Sequence, residues 1–218
     1  MRPALSDVEG PALSEVEGPD SRPYLAAVQH AYLIRHGETA WSRSGQHTGT
    51  TDIPLTDLGQ RVARCLEPIL ARETFALVLS SPLERAKHTS VLAGFGERAR
   101  IDRDLAEWDY GEYEGLTTGE IRMKAPDWTI FNDGCPGGES PEQVRARADR
   151  VIARIQSTEG HVALFAHGHL LRVLAARWLG LPTSAGSWFL LDTATVSILS
   201  YYRGTPAIKQ WNTGVDVR

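Results

Sequence analysis

Short apolar runs alternate with amphipathic segments along most of the chain, from about residue 29 onward. Three runs of four or five residues are dominated by aliphatic and aromatic side chains, which is typical of strands buried on both faces. They lie at residues 31–34, 75–79 and 161–165. Three later runs predict further short strands, at residues 189–191, 196–202 and 207–211.

The amphipathic segments between these runs predict helices. One opens at Thr56 and places its apolar residues at helical spacing on one face, namely Leu58, Val62, Leu66 and Ile69 or Leu70. The segments 81–84 and 140–143 each have the form of a helix start, with Ser as N-cap, Pro at the first position and Glu or Gln completing a capping box. The second of these helices should bury Val144, Ala148, Val151, Ile152 and Ile155.

A largely apolar helix is expected over residues 170–179, directly after the third buried run. Strands that alternate with helices in this way are typical of a parallel sheet covered on both faces. The sequence therefore predicts an α/β fold, a three-layer α/β/α sandwich with a mainly parallel sheet.

The first 22 residues differ from this pattern. An eight-residue unit occurs twice, at 3–10 and 11–18, which is far too short for a repeat fold. We expect residues 1–22 to be a low-complexity leader, disordered or not native, and residues 23–218 to form a single domain. Residues 1–20 carry a net charge of −4, and the remaining residues hold 22 acids and 22 bases.

Composition and charge exclude several function classes. The body of the chain has no basic excess, so no nucleic-acid partner is expected. No apolar stretch approaches the length of a membrane-spanning helix, and no signal peptide is evident, so neither a membrane partner nor export is expected. Cys65 and Cys135 are far apart, which fits a cytoplasmic protein without a metal site.

Cationic and imidazole side chains follow each of the three buried runs. Arg35 and His36 end the first, Arg85 follows the second, and His167 and His169 end the third. Ligands of open parallel sheets bind at the carboxyl ends of the strands, where helix N-termini also favour anions. The sequence thus predicts a pocket for a compact, doubly negative group such as phosphate. His30, His88 and His161 lack this convergence and are interpreted as ordinary side chains.

Several motifs occur in a fixed order between residue 30 and about residue 200. They are LIRHGET at 33–39, GQHTG at 45–49, PLT at 54–56, SSPLERA at 80–86, LAEWDYG at 105–111 with EG at 114–115, and AHGH at 166–169. Together they resemble the histidine phosphatase superfamily, also called the phosphoglycerate-mutase-like family. The resemblance implies that family's fold, with a short lid at about residues 105–140.

The resemblance also implies a covalent mechanism that needs no cofactor. His36 would be the nucleophile that forms a phosphohistidine, while Arg35, Arg85 and His167 would bind the oxygens of the transferring phosphoryl group. Glu107 would protonate the leaving oxygen and later accept a proton from water. We expect residues of the lid to exclude water from this carboxyl group and so to keep it protonated.

Further residues are implied to contact the substrate, which would be a small phosphomonoester. These candidates are His47, Thr48, Trp108, Tyr110 and His169. Arg172 lies near them in the sequence, and it could either support the site or lie on the helix surface.

Three departures from the phosphoglycerate mutases favour a phosphatase. Ser42 and His169 each replace an asparagine, and the interval from residue 115 to 141 is too short for the longer mutase lid. The motifs most resemble phosphatases of sugar phosphates and bisphosphates, of the sedoheptulose-bisphosphatase type. A mutase, a phosphoprotein phosphatase and a non-catalytic phospho-ligand binding module are the alternatives. An edge strand near residues 196–211 could pair two copies into a homodimer.

Overall fold

A computed structural model describes residues 29–215 of the chain, so the leader predicted at residues 1–22 lies outside the described residues. The described part forms one six-stranded sheet. Its strands are β1 Ala31–Arg35, β2 Phe75–Ser80, β3 Arg100–Ile101, β4 His161–Ala166, β5 Val196–Tyr202 and β6 Thr205–Thr213. The helices are α1 Ala40–Ser44, α2 Asp57–Arg64, α3 Glu67–Leu70, α4 Glu84–Leu92, α5 Thr118–Arg122, α6 Ile130–Asp133, α7 Pro141–Gln156 and α8 Gly168–Trp178, with 3₁₀ turns at Arg103–Leu105, Gly111–Tyr113 and Thr183–Trp188.

The strands are arranged in the order β3-β2-β4-β1-β5-β6. The first four run parallel to one another, and β5 runs antiparallel to both β1 and β6. The β5–β6 hairpin closes through Arg203 and Gly204, both with positive φ, as the tight turns of hairpins require. The predicted α/β fold with a mainly parallel sheet is therefore confirmed.

The strand predicted at residues 189–191 is wrong. Phe189 is extended, but the segment joins no ladder of the sheet, and two of its carbonyl groups accept from side chains instead. The indole of Trp211 donates to the carbonyl oxygen of Leu190, and the guanidinium of Arg35 donates to that of Leu191. A run of apolar residues alone does not reveal such partners.

The helix that opens at Thr56 is shorter than its apolar pattern predicts. Because Pro68 cannot continue the backbone hydrogen bonding, the segment divides into α2 and α3. The small residues Gly59 and Ala63 form the buried face of α2, whereas Leu58 is 43% exposed. Helix α2 can pack against the backbone of Glu38 because Gly59 has no Cβ atom, for which there would be no room.

The two predicted capping boxes had different outcomes. At α7, the Ser140 and Gln143 side chains each accept from the other's backbone N–H, which confirms the capping box predicted at residues 140–143. At α4, the prediction is wrong, because the helix begins at Glu84 and Ser81 is engaged elsewhere. The free N–H of Glu84 is instead satisfied by the carboxylate of Asp52, at 2.9 Å.

Two apolar cores cover the two faces of the sheet. Neighbouring strand residues alternate between them, so Leu33 packs toward α7 and α8 while Ile34 packs toward α3. This is the predicted three-layer arrangement, and it leaves the carboxyl ends of β1 and β4 side by side. Within residues 29–215, no helix is long and apolar enough to cross a membrane.

Candidate active site

A cavity of about 200 Å³ lies at the carboxyl ends of β1 and β4. Most of the side chains in its wall are polar. The ionisable groups among them are two guanidinium groups, three imidazoles, one carboxyl group and one phenol, from Arg35, Arg172, His36, His47, His169, Glu107 and Tyr110. This volume is below the roughly 300–1,000 Å³ typical of sites for drug-sized ligands, so the cavity suits a small molecule.

His36 occupies the cavity wall just past the end of β1 and is 4% exposed. Its Nδ1 lies 2.7 Å from the carbonyl oxygen of Gly37, which can only accept, so the proton of the neutral ring is on Nδ1. Burial, then the positive charges of Arg35 and Arg85, lower the pKa of His36 well below its ordinary value. The ring is therefore neutral near pH 7, and its Nε2 carries a lone pair.

Arg35 is the last residue of β1 and contributes its guanidinium to the same wall. One terminal nitrogen donates to the carbonyl of Leu191, while its buried Nε has no partner among the described residues. Gly168 makes room for this group, because a Cβ there would lie 3.2 Å from the guanidinium carbon. The backbone here is braced by Ala194, whose N–H donates to the carbonyls of both Arg35 and His36.

Arg85 and His167 are fully buried beside His36 rather than in the cavity wall. The His36 and His167 ring centroids are 5.1 Å apart, and Arg85 Nε donates to His167 Nδ1 at 3.2 Å. The terminal nitrogens of Arg85 donate to the carbonyls of Thr48, Gly49 and Thr51. Four of its five N–H donors are thus used within the protein.

Ser81 is a member of this cluster that the sequence interpretation missed. Its hydroxyl lies 2.7 Å from His167 Nε2, which must carry the ring proton because Nδ1 accepts from Arg85. The pKa of His167 is lowered well below its ordinary value, chiefly by burial and then by Arg85. Ser81, which was predicted to cap α4, therefore orients the His167 imidazole. The only sequence signal for this role was its place in the motif at 80–86.

Glu107 is the carboxyl group of the cavity, and it lies at the N-terminus of α8. Its oxygens accept from the backbone N–H groups of His169 and Leu170, both at 3.0 Å, and from that of Trp108 at 2.9 Å. Helix N-termini stabilise anionic groups in this position. The side chain is only 7% exposed, so it is held in a single orientation toward the cavity.

An ion pair between α7 and residue 139 holds the segment that carries Glu107. Arg147 on α7 pairs with the Glu139 carboxylate through two nitrogens, at 2.7 and 2.8 Å. The same guanidinium donates to the carbonyls of Asp104, Ala106 and Glu107. This clamp was also missed from the sequence, because neither residue carries a local signal of its long-range partners.

His47, Tyr110 and His169 form the aromatic part of the cavity wall. The rings of His47 and Tyr110 stack with centroids 4.8 Å apart, and the Tyr110 hydroxyl lies 2.6 Å from His169 Nδ1. Burial lowers the pKa of His47 to about 4, and burial followed by the charge of Arg172 lowers that of His169 well below its ordinary value. Both imidazoles are therefore neutral, polar surfaces.

The other candidates are placed differently. Thr48 is in the wall, as expected, and Arg172 is there too, so it is not a residue of the outer helix surface. Trp108 is not brought to the cavity, which corrects its expected contact with substrate. Its side chain is fully buried against Phe131, and its indole N–H donates to the carbonyl of Glu139.

This arrangement suits one kind of chemistry. A neutral imidazole with a free lone pair faces a small cavity in which two guanidinium groups outweigh one carboxyl group. Guanidinium groups bind phosphate oxygens well, and a buried imidazole is a competent nucleophile toward phosphorus. The fold and the site define an enzyme of the phosphoryl-transfer class.

The family follows from comparison with known proteins. The profile of the histidine phosphatase superfamily (branch 1) matches residues 31–214, and the chain belongs to this family. The chain is 43% identical over 176 residues to an acid phosphatase of Mycobacterium tuberculosis, which covers 79% of this chain and 86% of that protein. It is 39% identical over 181 residues to sedoheptulose 1,7-bisphosphatase of Saccharomyces cerevisiae, and this match covers 68% of this chain and 67% of that protein.

A solved Mycobacterium tuberculosis structure shares the fold with a TM-score of 0.82 and 39% identity, over 85% of this chain and 98% of that one. The predicted superfamily and enzyme class are confirmed: the chain is a histidine phosphatase that acts on phosphomonoesters.

Proposed function

We propose that this enzyme hydrolyses small phosphorylated metabolites, sugar phosphates or sugar bisphosphates, through a phosphohistidine on His36. The observation that carries the proposal is the state of His36: its Nδ1 proton is fixed by the carbonyl of Gly37, and the ring lines the cavity. The lone pair of Nε2 is therefore available to the substrate in a water-poor site.

In the first step, His36 Nε2 attacks phosphorus, so that an N–P bond forms as the bond to the ester oxygen breaks. Arg35 neutralises the phosphoryl oxygens directly. Arg85 acts chiefly through the field of its charge, because most of its donors are already engaged. Glu107, the carboxyl group of the wall, takes a proton from the bound phosphomonoester monoanion and delivers it to the leaving alkoxide, which returns Glu107 to the ionised form that its three backbone N–H groups stabilise.

In the second step, water attacks the phosphohistidine. Glu107, now ionised, accepts a proton from that water, the N–P bond breaks, and inorganic phosphate leaves with the imidazole restored. His167 keeps its proton on Nε2 through Ser81 and stands beside the reacting ring, with both of its ring nitrogens engaged within the protein. The segment at about 105–140 serves as the lid, contributing Glu107, Tyr110 and Thr118 to the wall.

Uncharged polar groups support a hydroxylated leaving group. Hydroxyl and amide side chains line the cavity beside the imidazoles, from Ser42, Gln46, Thr48 and Thr118. Such groups match the hydroxyls of a sugar, and the relatives include a sedoheptulose 1,7-bisphosphatase. Because the pKa of His36 is lowered, its imidazole stays neutral and nucleophilic at acid pH, which agrees with the name of the related acid phosphatase.

The first test is phosphate release from a panel of phosphomonoesters, with His36→Ala assayed in parallel. The panel contains fructose and sedoheptulose bisphosphates, 3-phosphoglycerate, a nucleotide, a phosphopeptide and p-nitrophenyl phosphate. We expect release that vanishes in the variant and favours the sugar phosphates. We also expect it to persist in a chelator, because the cavity supplies its own cations.

Three outcomes would contradict the proposal. Conversion of 3-phosphoglycerate to 2-phosphoglycerate without phosphate release would identify a mutase. A preference for the phosphopeptide would identify a phosphoprotein phosphatase, and the absence of turnover on every substrate would favour a non-catalytic binding module.

A further inference from the structure

Arg172 is a cation of the cavity that the proposed reaction does not use. It lies in α8 and lines the same cavity as Arg35. Its Nε donates to the carbonyl of Gly186 at 3.0 Å, and its Nη2 donates to that of Ser187 at 3.3 Å. The guanidinium carbon is 4.7 Å from the centroid of the Phe131 ring, so the plane is held from one side as well.

These contacts fix the guanidinium without neutralising it. Among residues 29–215, Arg172 has no carboxylate within ion-pair distance, and its Nη1 makes no hydrogen bond. Glu107 supplies the only carboxylate of the wall, and three backbone N–H groups already hold its oxygens. A partly buried cation without a counter-ion is unfavourable unless a ligand completes it.

Its position separates it from the phosphoryl end of the cavity. Gly168, which packs on the Arg35 guanidinium, and Arg172 are four residues apart on α8, a distance of about 6 Å along the helix. Arg35 therefore packs against the first turn of α8, and Arg172 lines the same cavity from the next turn of that helix. That separation is suited to two anionic groups in the same small molecule.

We propose that Arg172 binds a second anionic group, a carboxylate or a second phosphate, carried by the leaving group of the substrate. This inference rests on the proposed function and narrows it. The preferred substrates are then bisphosphates or phosphorylated acids, and simple monophosphates are bound less tightly. The chemistry that the two groups share is an anion with two oxygens in reach, which the planar guanidinium binds in bidentate fashion better than an ammonium group does.

The alternative is that Arg172 only anchors the turn at residues 183–188 to α8. That role would affect every ligand equally, whereas a subsite for a second anion affects only ligands that carry one. Two ligand pairs separate these cases. Glycerol 3-phosphate and 3-phosphoglycerate differ mainly in a carboxylate, and fructose 6-phosphate and fructose 1,6-bisphosphate differ in a second phosphate.

The experiment measures equilibrium dissociation constants by calorimetry in the His36→Ala background, so that it does not depend on turnover. We expect this protein to bind the second member of at least one pair more tightly than the first. Adding Arg172→Gln, which keeps hydrogen-bond donors but removes the charge, should reduce that preference about 10- to 100-fold. The pair affected identifies the second group as carboxylate or phosphate.

Arg177→Gln in the same background is the matched control. Arg177 lies on the same helix, but it pairs with Asp149 and is outside the cavity wall. It should leave both preferences unchanged. Equal weakening of both members of each pair by Arg172→Gln, or an unchanged preference, would overturn the inference.

Turnover of wild-type protein on the same four compounds is measured separately, so the two proposals fail in different ways. Without hydrolysis of any compound, the proposed function fails, and the binding ratios still decide the role of Arg172. With hydrolysis but an unaltered ratio in Arg172→Gln, the enzyme activity stands and the second-anion subsite is wrong.

Discussion

The two ends of strands β1 and β4 carry the same types of side chain, and only one end forms the site. At the carboxyl end, His36 and His167 lie side by side with arginines and a glutamate. At the amino end, His30 and His161 stack at 4.9 Å, with the carboxylate of Glu73 at 3.9 Å from His161. Composition therefore does not distinguish them.

Burial and helix placement make the difference. At the carboxyl end, His36 is 4% exposed and His167 is fully buried, and the N-terminus of α8 meets them there. At the amino end, the side chain of His161 is 23% exposed and that of Glu73 is 37% exposed, so water screens their charges. A parallel sheet directs helix N-termini to one end only, which is why histidine and glutamate side chains form a site at that end and not at the other.

The largest expected effect comes from replacing the nucleophile His36, with His161 at the other end of the strand pair as the control. His36→Ala should abolish turnover, a loss on the order of 10⁴-fold or more, because the imidazole that attacks phosphorus is then missing. His161→Ala, at the other end of the strand pair, should retain nearly wild-type kcat. Initial rates with p-nitrophenyl phosphate measure both, and similar losses in the two variants would contradict the comparison.

The acids of the two ends provide the next test. Glu107→Gln should lower kcat for alkyl phosphates by about 10²–10⁴-fold, because the alkoxide then leaves without a proton. The loss should be much smaller for p-nitrophenyl phosphate, whose leaving group needs no acid. Glu73→Gln is the control and should affect neither. Equal losses on both substrates for Glu107→Gln would be incompatible with its acid role.

The arginines come third. Arg85→Ala should reduce kcat about 10²-fold or more, because it removes a buried charge beside the reacting ring and the donor that orients His167. Arg98→Ala removes the arginine that donates to the carbonyl of Phe75 at the amino end, and should leave kcat intact. Circular dichroism of both variants separates lost folding from lost chemistry. Full activity in a folded Arg85→Ala protein would refute its assignment.

The last effect concerns stability and pH. His47 has a pKa of about 4 when folded, against 6.5 ordinarily, so the unfolded chain binds its proton first. The free energy of unfolding should therefore decrease as pH falls from about 6.5 to about 4, with roughly 3 kcal/mol attributable to this residue. In His47→Gln, denaturant titrations at pH 7 and pH 4.5 should differ less than in wild type. Identical pH dependence in both proteins would show that His47 does not contribute.

Local patterns determined more of the fold than of the site. The apolar runs at β1, β2 and β4 and the capping box of α7 depend on residues close in sequence, and they were predictable for that reason. The failures at α4 and at residues 189–191 have the opposite cause. There, backbone groups are satisfied by Asp52, Arg35 and Trp211, which are distant in the chain.

The amino-acid sequence by itself determined the α/β class, the convergence of Arg35, His36 and the residues around position 167 on one rim, and the family. The tertiary structure alone decided which of these side chains reach the cavity. It placed Arg172 in the wall and Trp108 in the core, and it gave Ser81 to His167. Periodicity and motif order are properties of the chain, whereas access to a cavity depends on how distant segments pack.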